Sequence, residues 1–124
     1  WRIAITNPRG EGYLGTLLVP GGTYISTSGD YQRYFDYHGE RYHHILDPRT
    51  GYPARAAMAV TVIGGASGVW SDALSTAAFV MGYPDALTWM DGRGDCGAVM
   101  VDTEGQVHAS SGLGPALEGL EERV

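Results

Sequence analysis

Residues 56–65 read AAMAVTVIGG, an apolar run broken only by Thr61 before two glycines. A strand with one wet face alternates apolar and polar residues. A nearly continuous run suits a strand buried on both faces. No other stretch of the chain constrains the fold as strongly.

Beyond the run the period changes. Residues 67–82, SGVWSDALSTAAFVMG, carry helix signals. Ser67 or Ser71 can cap the start, Asp72 suits the first turns, and Gly82 with Pro84 beyond it stops the helix. Leu74, Ala77, Ala78 and Met81 can face a core. Residues 84–92, PDALTWMDG, predict a second short helix, with Pro84 near its first turn and Gly92 after its end.

The flanks read as strands and turns. Residues 1–7 have period-two character, and Pro8, Gly10 and Gly12 make a loop. Residues 15–20 and 23–28 predict two strands around a Gly21-Gly22 turn. Residues 31–37 and 41–46 predict a hairpin with its tip at His38-Gly39. A helix is conceivable over 30–37, but the aromatic content and the tip glycine favour strands. Residues 96–102 and 106–110 predict a last hairpin, and the tail from 112 on either frays or forms a short helix. The expected class is α+β: an antiparallel-rich sheet packed against one main helix and a second short one. At 124 residues this is one domain or part of one.

Charge narrows the function. The net charge is −6, and all eight basic residues are arginine. A nucleic-acid surface needs a basic patch, so no nucleic-acid partner is expected. A phosphate ligand is compatible with an acidic chain, with a metal ion helping to offset the repulsion. No apolar run reaches the roughly 18 residues of a membrane helix. Cys96 is alone, so it makes neither an internal disulfide nor a thiolate metal site; a buried or idle thiol is expected. Because the chain opens on Trp1, the absence of a targeting segment carries no weight.

Three polar clusters could carry chemistry. Asp72 and Thr76 are four apart and share one helical face, with Ser75 beside them. They suit an oxygen-seeking cation such as Mg²⁺; equally, Asp72 could serve the helix dipole and Thr76 be a tolerated hydroxyl. In HHILDPRTGYPA, residues 43–54, the histidines are adjacent, so on a strand they face opposite ways. His44 shares a face with Leu46, and His43 with Ile45 and Asp47. Adjacent spacing is poor for zinc; a proton carrier and a hydrogen-bonded structural histidine both remain open. Residues 47–51, DPRTG, form a turn. TSGDY, residues 27–31, could hold a phosphate or a base edge, or be an Asx-type turn. His38 and His108 have no evident partners and are expected at the surface.

In order and with matching gaps, STSGDYQRYF, GERYHHILDPRTGYPA and VTVIGGASGVWSDALSTAAFVMG resemble the ApbE family, the FAD:protein FMN transferases once described as thiamine-biosynthesis lipoproteins. The resemblance runs from Trp1 to about Val101. It implies Mg²⁺-dependent transfer of FMN from FAD to a threonine or serine hydroxyl of a target protein, forming a phosphoester and releasing AMP. It also implies a target in a membrane redox complex and an extracytoplasmic, lipid-anchored setting. By resemblance, the metal ligands are Asp72 and Thr76, and the catalytic histidine is His44, favoured as a base. Ile45, Leu46, Asp47 and Thr50 border the flavin nucleotide.

Family members are expected to be much longer. Residues 1–124 are therefore expected to be the carboxy-terminal portion, without the amino-terminal FAD-binding portion and its backbone-oxygen metal ligand. Alone, such a chain is expected to bind FAD and Mg²⁺ poorly and to self-associate through exposed apolar surface. Two rivals stand: a Mg²⁺-dependent FAD pyrophosphatase giving FMN and AMP, and a non-catalytic flavin-binding or scaffold fragment.

Overall fold

The computed structural model describes residues 1–120. In chain order the strands are β1 (Arg2–Thr6), β2 (Tyr13–Leu18), β3 (Ile25–Gly29), β4 (Tyr34–Tyr37), β5 (Glu40–His43) and β6 (Ala59–Gly64). Then come helices α1 (Gly68–Met81) and α2 (Asp85–Arg93), and strands β7 (Cys96–Val101), β8 (Val107–Ala109) and β9 (Leu117–Glu118). Every strand pair is antiparallel. The strands make a central sheet in the order β3-β6-β7-β8, a second sheet β1-β2-β9, and the β4-β5 hairpin. The expected α+β class holds. No helix among the described residues is long and apolar enough to cross a membrane.

β6 is covered on both sides, as its apolar run requires. On one face, Val60 and Val62 join Ala98 and Met100 of β7 against Leu74, Ala78 and Phe79 of α1 and Met90 of α2. On the other, Ala59 and Ile63 join Val99 and Val101 against Ile5, Leu14 and Leu17 of the second sheet and Val19 just beyond β2. The result is three layers. Burying a side chain such as Phe79 or Leu17 contributes about 1.5–3 kcal/mol.

Local chemistry places α1. Gly64 takes φ 98°, and a Cβ there would lie 2.8 Å from the Asp95 carbonyl oxygen. Only glycine turns the chain so tightly off β6. The Ser67 hydroxyl then accepts from the Trp70 N–H and caps the helix. At the far end Gly82, at φ 75°, donates its N–H to the Ala78 carbonyl.

Several details differ from the sequence expectation. β2 and β3 do not pair across Gly21-Gly22. β2 lies between β1 and β9, while β3 joins β6, so the glycines carry the chain from one sheet to the other. On α1, Leu74 and Ala78 are buried as expected, but Ala77 and Met81 are exposed and Ser71, Ser75 and Phe79 take their place. Small serines let α1 lie close to β3, where Ser28 bonds Ser75. α2 runs through Gly92 to Arg93, and the left-handed residue that closes it is Gly94. In the tail the short-helix alternative holds over Ser111–Ala116, a 3-10 helix, and the chain then runs into β9, which pairs Leu117 with Leu17. Residues 121–124 of the expected tail lie outside the described residues.

His108 is not a lone surface residue. The β7-β8 hairpin sets its Nε2 2.7 Å from the Asp102 carboxylate, and Tyr83 stacks on the ring at 3.7 Å. Cys96 is half-buried with its Sγ 3.4 Å from the Met90 Sδ, and burial pushes its thiol up, in keeping with an idle thiol.

Two buried polar groups knit the layers. Asp30, immediately after β3, accepts a forked pair of hydrogen bonds from the Arg9 guanidinium, one at 2.6 Å. His43 closes β5 inside the core. Its Nδ1 accepts the Ile45 N–H at 3.2 Å, so the proton sits on Nε2, which donates to the Ala54 carbonyl at 2.8 Å. The ring meets Phe79 edge-on. Burial holds this imidazole below its ordinary range, against the raising effect of the Ala54 carbonyl.

Arg9→Ala should lower stability by about 2 kcal/mol in urea denaturation, because the buried Asp30 carboxylate loses a charged partner. His43 has a folded pKa below its unfolded one, so its share of stability is full above about pH 6.5 and is lost progressively as pH falls through the folded value. The urea midpoint should therefore drop more between about pH 7.5 and 5 in the native chain than in His43→Gln.

Candidate active site

A cleft of about 450 Å³ opens where the end of β3 meets α1 and the segment after β5. Thr27, Ser28 and Gly29 form one wall, with Gln32 and Arg33 beyond them. Asp72 and Thr76 of α1 form a second, and His44, Ile45 and Leu46 a third. Residues far apart in sequence thus share one concave surface.

The α1 wall is fixed by hydroxyls. Ser28 Oγ lies 2.7 Å from Ser75 Oγ and 3.1 Å from Thr76 Oγ1. Ser75 donates to the Asp72 carbonyl at 2.8 Å. The carboxylate of Asp72 itself is exposed and, among the described residues, makes no hydrogen bond or ion pair. A carboxylate and a hydroxyl one turn apart, both on the cleft, are hard oxygen donors. They fit a cation such as Mg²⁺, which takes few protein ligands. Among the described residues no cluster of three or more His, Cys, Asp or Glu side chains is placed to hold a metal. Any cation here would draw its other oxygens from elsewhere.

The histidine wall comes from alternation. His43 and Ile45 are buried, whereas His44 and Leu46 are exposed. His44 is therefore the one that reaches the cleft. Its Nδ1 lies 3.4 Å from the Arg33 carbonyl, a long contact that lets Nδ1 carry the proton and leaves a lone pair on Nε2. Beyond it, β5 has already ended, and a single bridge pairs Leu46 with Pro53.

Asp47 and Thr50 are not among the residues lining the cleft. Asp47 opens the adjoining turn: Arg49 binds its carboxylate at 3.0 and 2.7 Å and holds it below the usual carboxylate range. The Thr50 hydroxyl accepts from the Tyr52 N–H. The TSGDY segment divides in the same way. Thr27, Ser28 and Gly29 face the cleft, while Asp30 is bound to Arg9. Gln32 and Arg33 line the cleft too, and nothing in their spacing marks them in the sequence.

The chain as a whole is similar to proteins of one family. The ApbE family model matches residues 1–100. A Rhodobacter capsulatus protein named FAD:protein FMN transferase is 36% identical over 121 residues, covering 98% of this chain and 23% of that protein. One of the same name from Treponema pallidum is 34% identical over 124 residues, covering 99% of this chain and 34% of that protein. Among solved structures, the ApbE protein of Thermotoga maritima superposes with a TM-score of 0.83 at 37% identity. It covers all of this chain and 38% of its own. The flavin transferase ApbE of Vibrio cholerae gives 0.75 at 32% identity, covering 94% of this chain and 37% of its own. The chain thus spans between about a quarter and two fifths of the length of these relatives. With a family match over most of its length, and a fold shared with solved members, the chain belongs to the ApbE family.

Proposed function

We propose that residues 1–124 are the carboxy-terminal portion of a Mg²⁺-dependent flavin transferase. The whole protein moves FMN from FAD to a threonine or serine hydroxyl of a target protein, forming a phosphoester and releasing AMP. One observation carries this reading: Asp72, Thr76 and His44, drawn from two separate segments, meet on one cleft. The names of the relatives support flavin transfer, and the share of their length that is covered supports a larger protein. Family resemblance alone supports a target in a membrane redox complex, outside the cytoplasm.

The residues divide the work. The Asp72 carboxylate and the Thr76 hydroxyl would hold Mg²⁺, which when bound neutralises charge on diphosphate oxygens. His44 takes the proton of the acceptor hydroxyl on Nε2, with Nδ1 turned toward the Arg33 carbonyl. The acceptor oxygen bonds to the phosphorus of the FMN moiety as the bond to the AMP oxygen breaks. Exposed Leu46 offers an apolar surface for the flavin nucleotide, backed by Ile45, while Asp47 and Thr50 shape the turn behind it.

The test is mass spectrometry of a candidate target incubated with the whole protein, FAD and Mg²⁺. A mass gain equal to FMN is expected. Free FMN without an adduct would instead establish hydrolysis. Asp72→Ala should cut transfer by more than about 100-fold, and survival of transfer would remove the metal assignment. His44→Ala should slow it about 100- to 10,000-fold, the range for loss of a general base.

A further inference from the structure

Three hydroxyls join β3 to α1, and each has one proton to give. Ser75 Oγ lies 2.8 Å from the Asp72 carbonyl oxygen, an acceptor only. Once Ser75 donates there, it must accept from Ser28 across their 2.7 Å contact. Ser28 has then spent its proton, and can only accept from Thr76 at 3.1 Å. The reverse sense would end with Thr76 donating to the Asp72 carbonyl at 3.4 Å, a poorer bond in place of a good one. Ser75 is fully buried and Ser28 nearly so, which keeps water from the inner contact of the three.

We infer that Ser28 is a positioning residue for the cation site. As the acceptor of the Thr76 proton, it turns the lone pairs of Thr76 Oγ1 outward to the cleft, with Ser75 setting the direction of the relay. A hydroxyl that must give lone pairs to a cation needs somewhere else to place its proton, and the relay provides that place. Without Ser28, Thr76 keeps the distant Asp72 carbonyl and solvent as acceptors, and neither fixes which way its lone pairs point. Without Ser75, Ser28 regains a free proton and can direct it at Thr76, occupying a lone pair. This inference rests on the cation reading of Asp72 and Thr76.

The experiment titrates Mn²⁺ into the whole protein with FAD present and reads the free ion by electron paramagnetic resonance. Ser28→Ala should weaken Mn²⁺ binding about 10- to 100-fold, and Ser75→Ala should weaken it in the same direction. Thr76→Val sets the benchmark, and the double variant Ser28→Ala/Thr76→Val should bind no more weakly than Thr76→Val alone. A merely structural Ser28 would go on costing affinity in that background, and that result would overturn the relay. Native affinity in Ser28→Ala with weakened binding in Thr76→Val would also overturn it, leaving the cation reading intact. Native affinity in Thr76→Val would overturn the cation reading and the relay together. Should Ser28→Ala fail to fold, Ser28→Cys has nearly the same volume and a weak acceptor, and it is read the same way.

Discussion

Burial of β6 on both faces sets where every wall of the cleft stands. Its Val60 and Val62 draw α1 onto one side, and its ladder to β3 fixes Ser28 opposite Val60. α1 thus crosses β3 at the height of Ser28, so Ser75 and Thr76 meet a strand hydroxyl there. The second sheet, pressed on the other face by Leu17 and Ile5, keeps this arrangement from relaxing. Interiors packed at this density transmit small changes of volume, so the placement of Asp72 depends on residues that never touch the cleft.

His43 and His44 show how one residue of register separates structure from chemistry. His43 is the last residue of β5 and His44 the first beyond it. One has both ring nitrogens engaged by backbone groups in the core, and the other reaches the cleft. A buried imidazole with its nitrogens satisfied has no capacity left for proton transfer. Its exposed neighbour has a nitrogen to spare. A slip of one residue would exchange the two and take His44 off the cleft while leaving the composition untouched.

Much of this was legible in the sequence, where periodicity was strong. The apolar run of β6, the capped helix after it and the last hairpin all have local signals. So does the split of faces around His44. Pairing partners were harder, because Gly21-Gly22 suits a tight hairpin turn and a sheet-to-sheet crossing equally well. The buried face of α1 is hard to read at its serines: Ser75 is interior because Ser28 meets its hydroxyl, whereas the Ser71 hydroxyl is buried with no hydrogen-bond partner among the described residues. His108 and Asp102 likewise met only after the hairpin closed. Gln32 and Arg33 reach the cleft through tertiary placement alone, and no local pattern encodes that.

The Asp72 carboxylate, without a hydrogen bond or ion pair among the described residues, sits in a chain of net charge −6. Among the described residues, an anion approaching that cleft by itself meets the Asp72 carboxylate as well as the Arg33 guanidinium, and a cation by itself meets too few oxygens to be held firmly. Nucleotide and metal would then be mutual prerequisites. Thermodynamic reciprocity requires that whichever arrives first raise the affinity of the other by the same factor. The cleft would work as a coincidence detector, nearly empty until both are abundant.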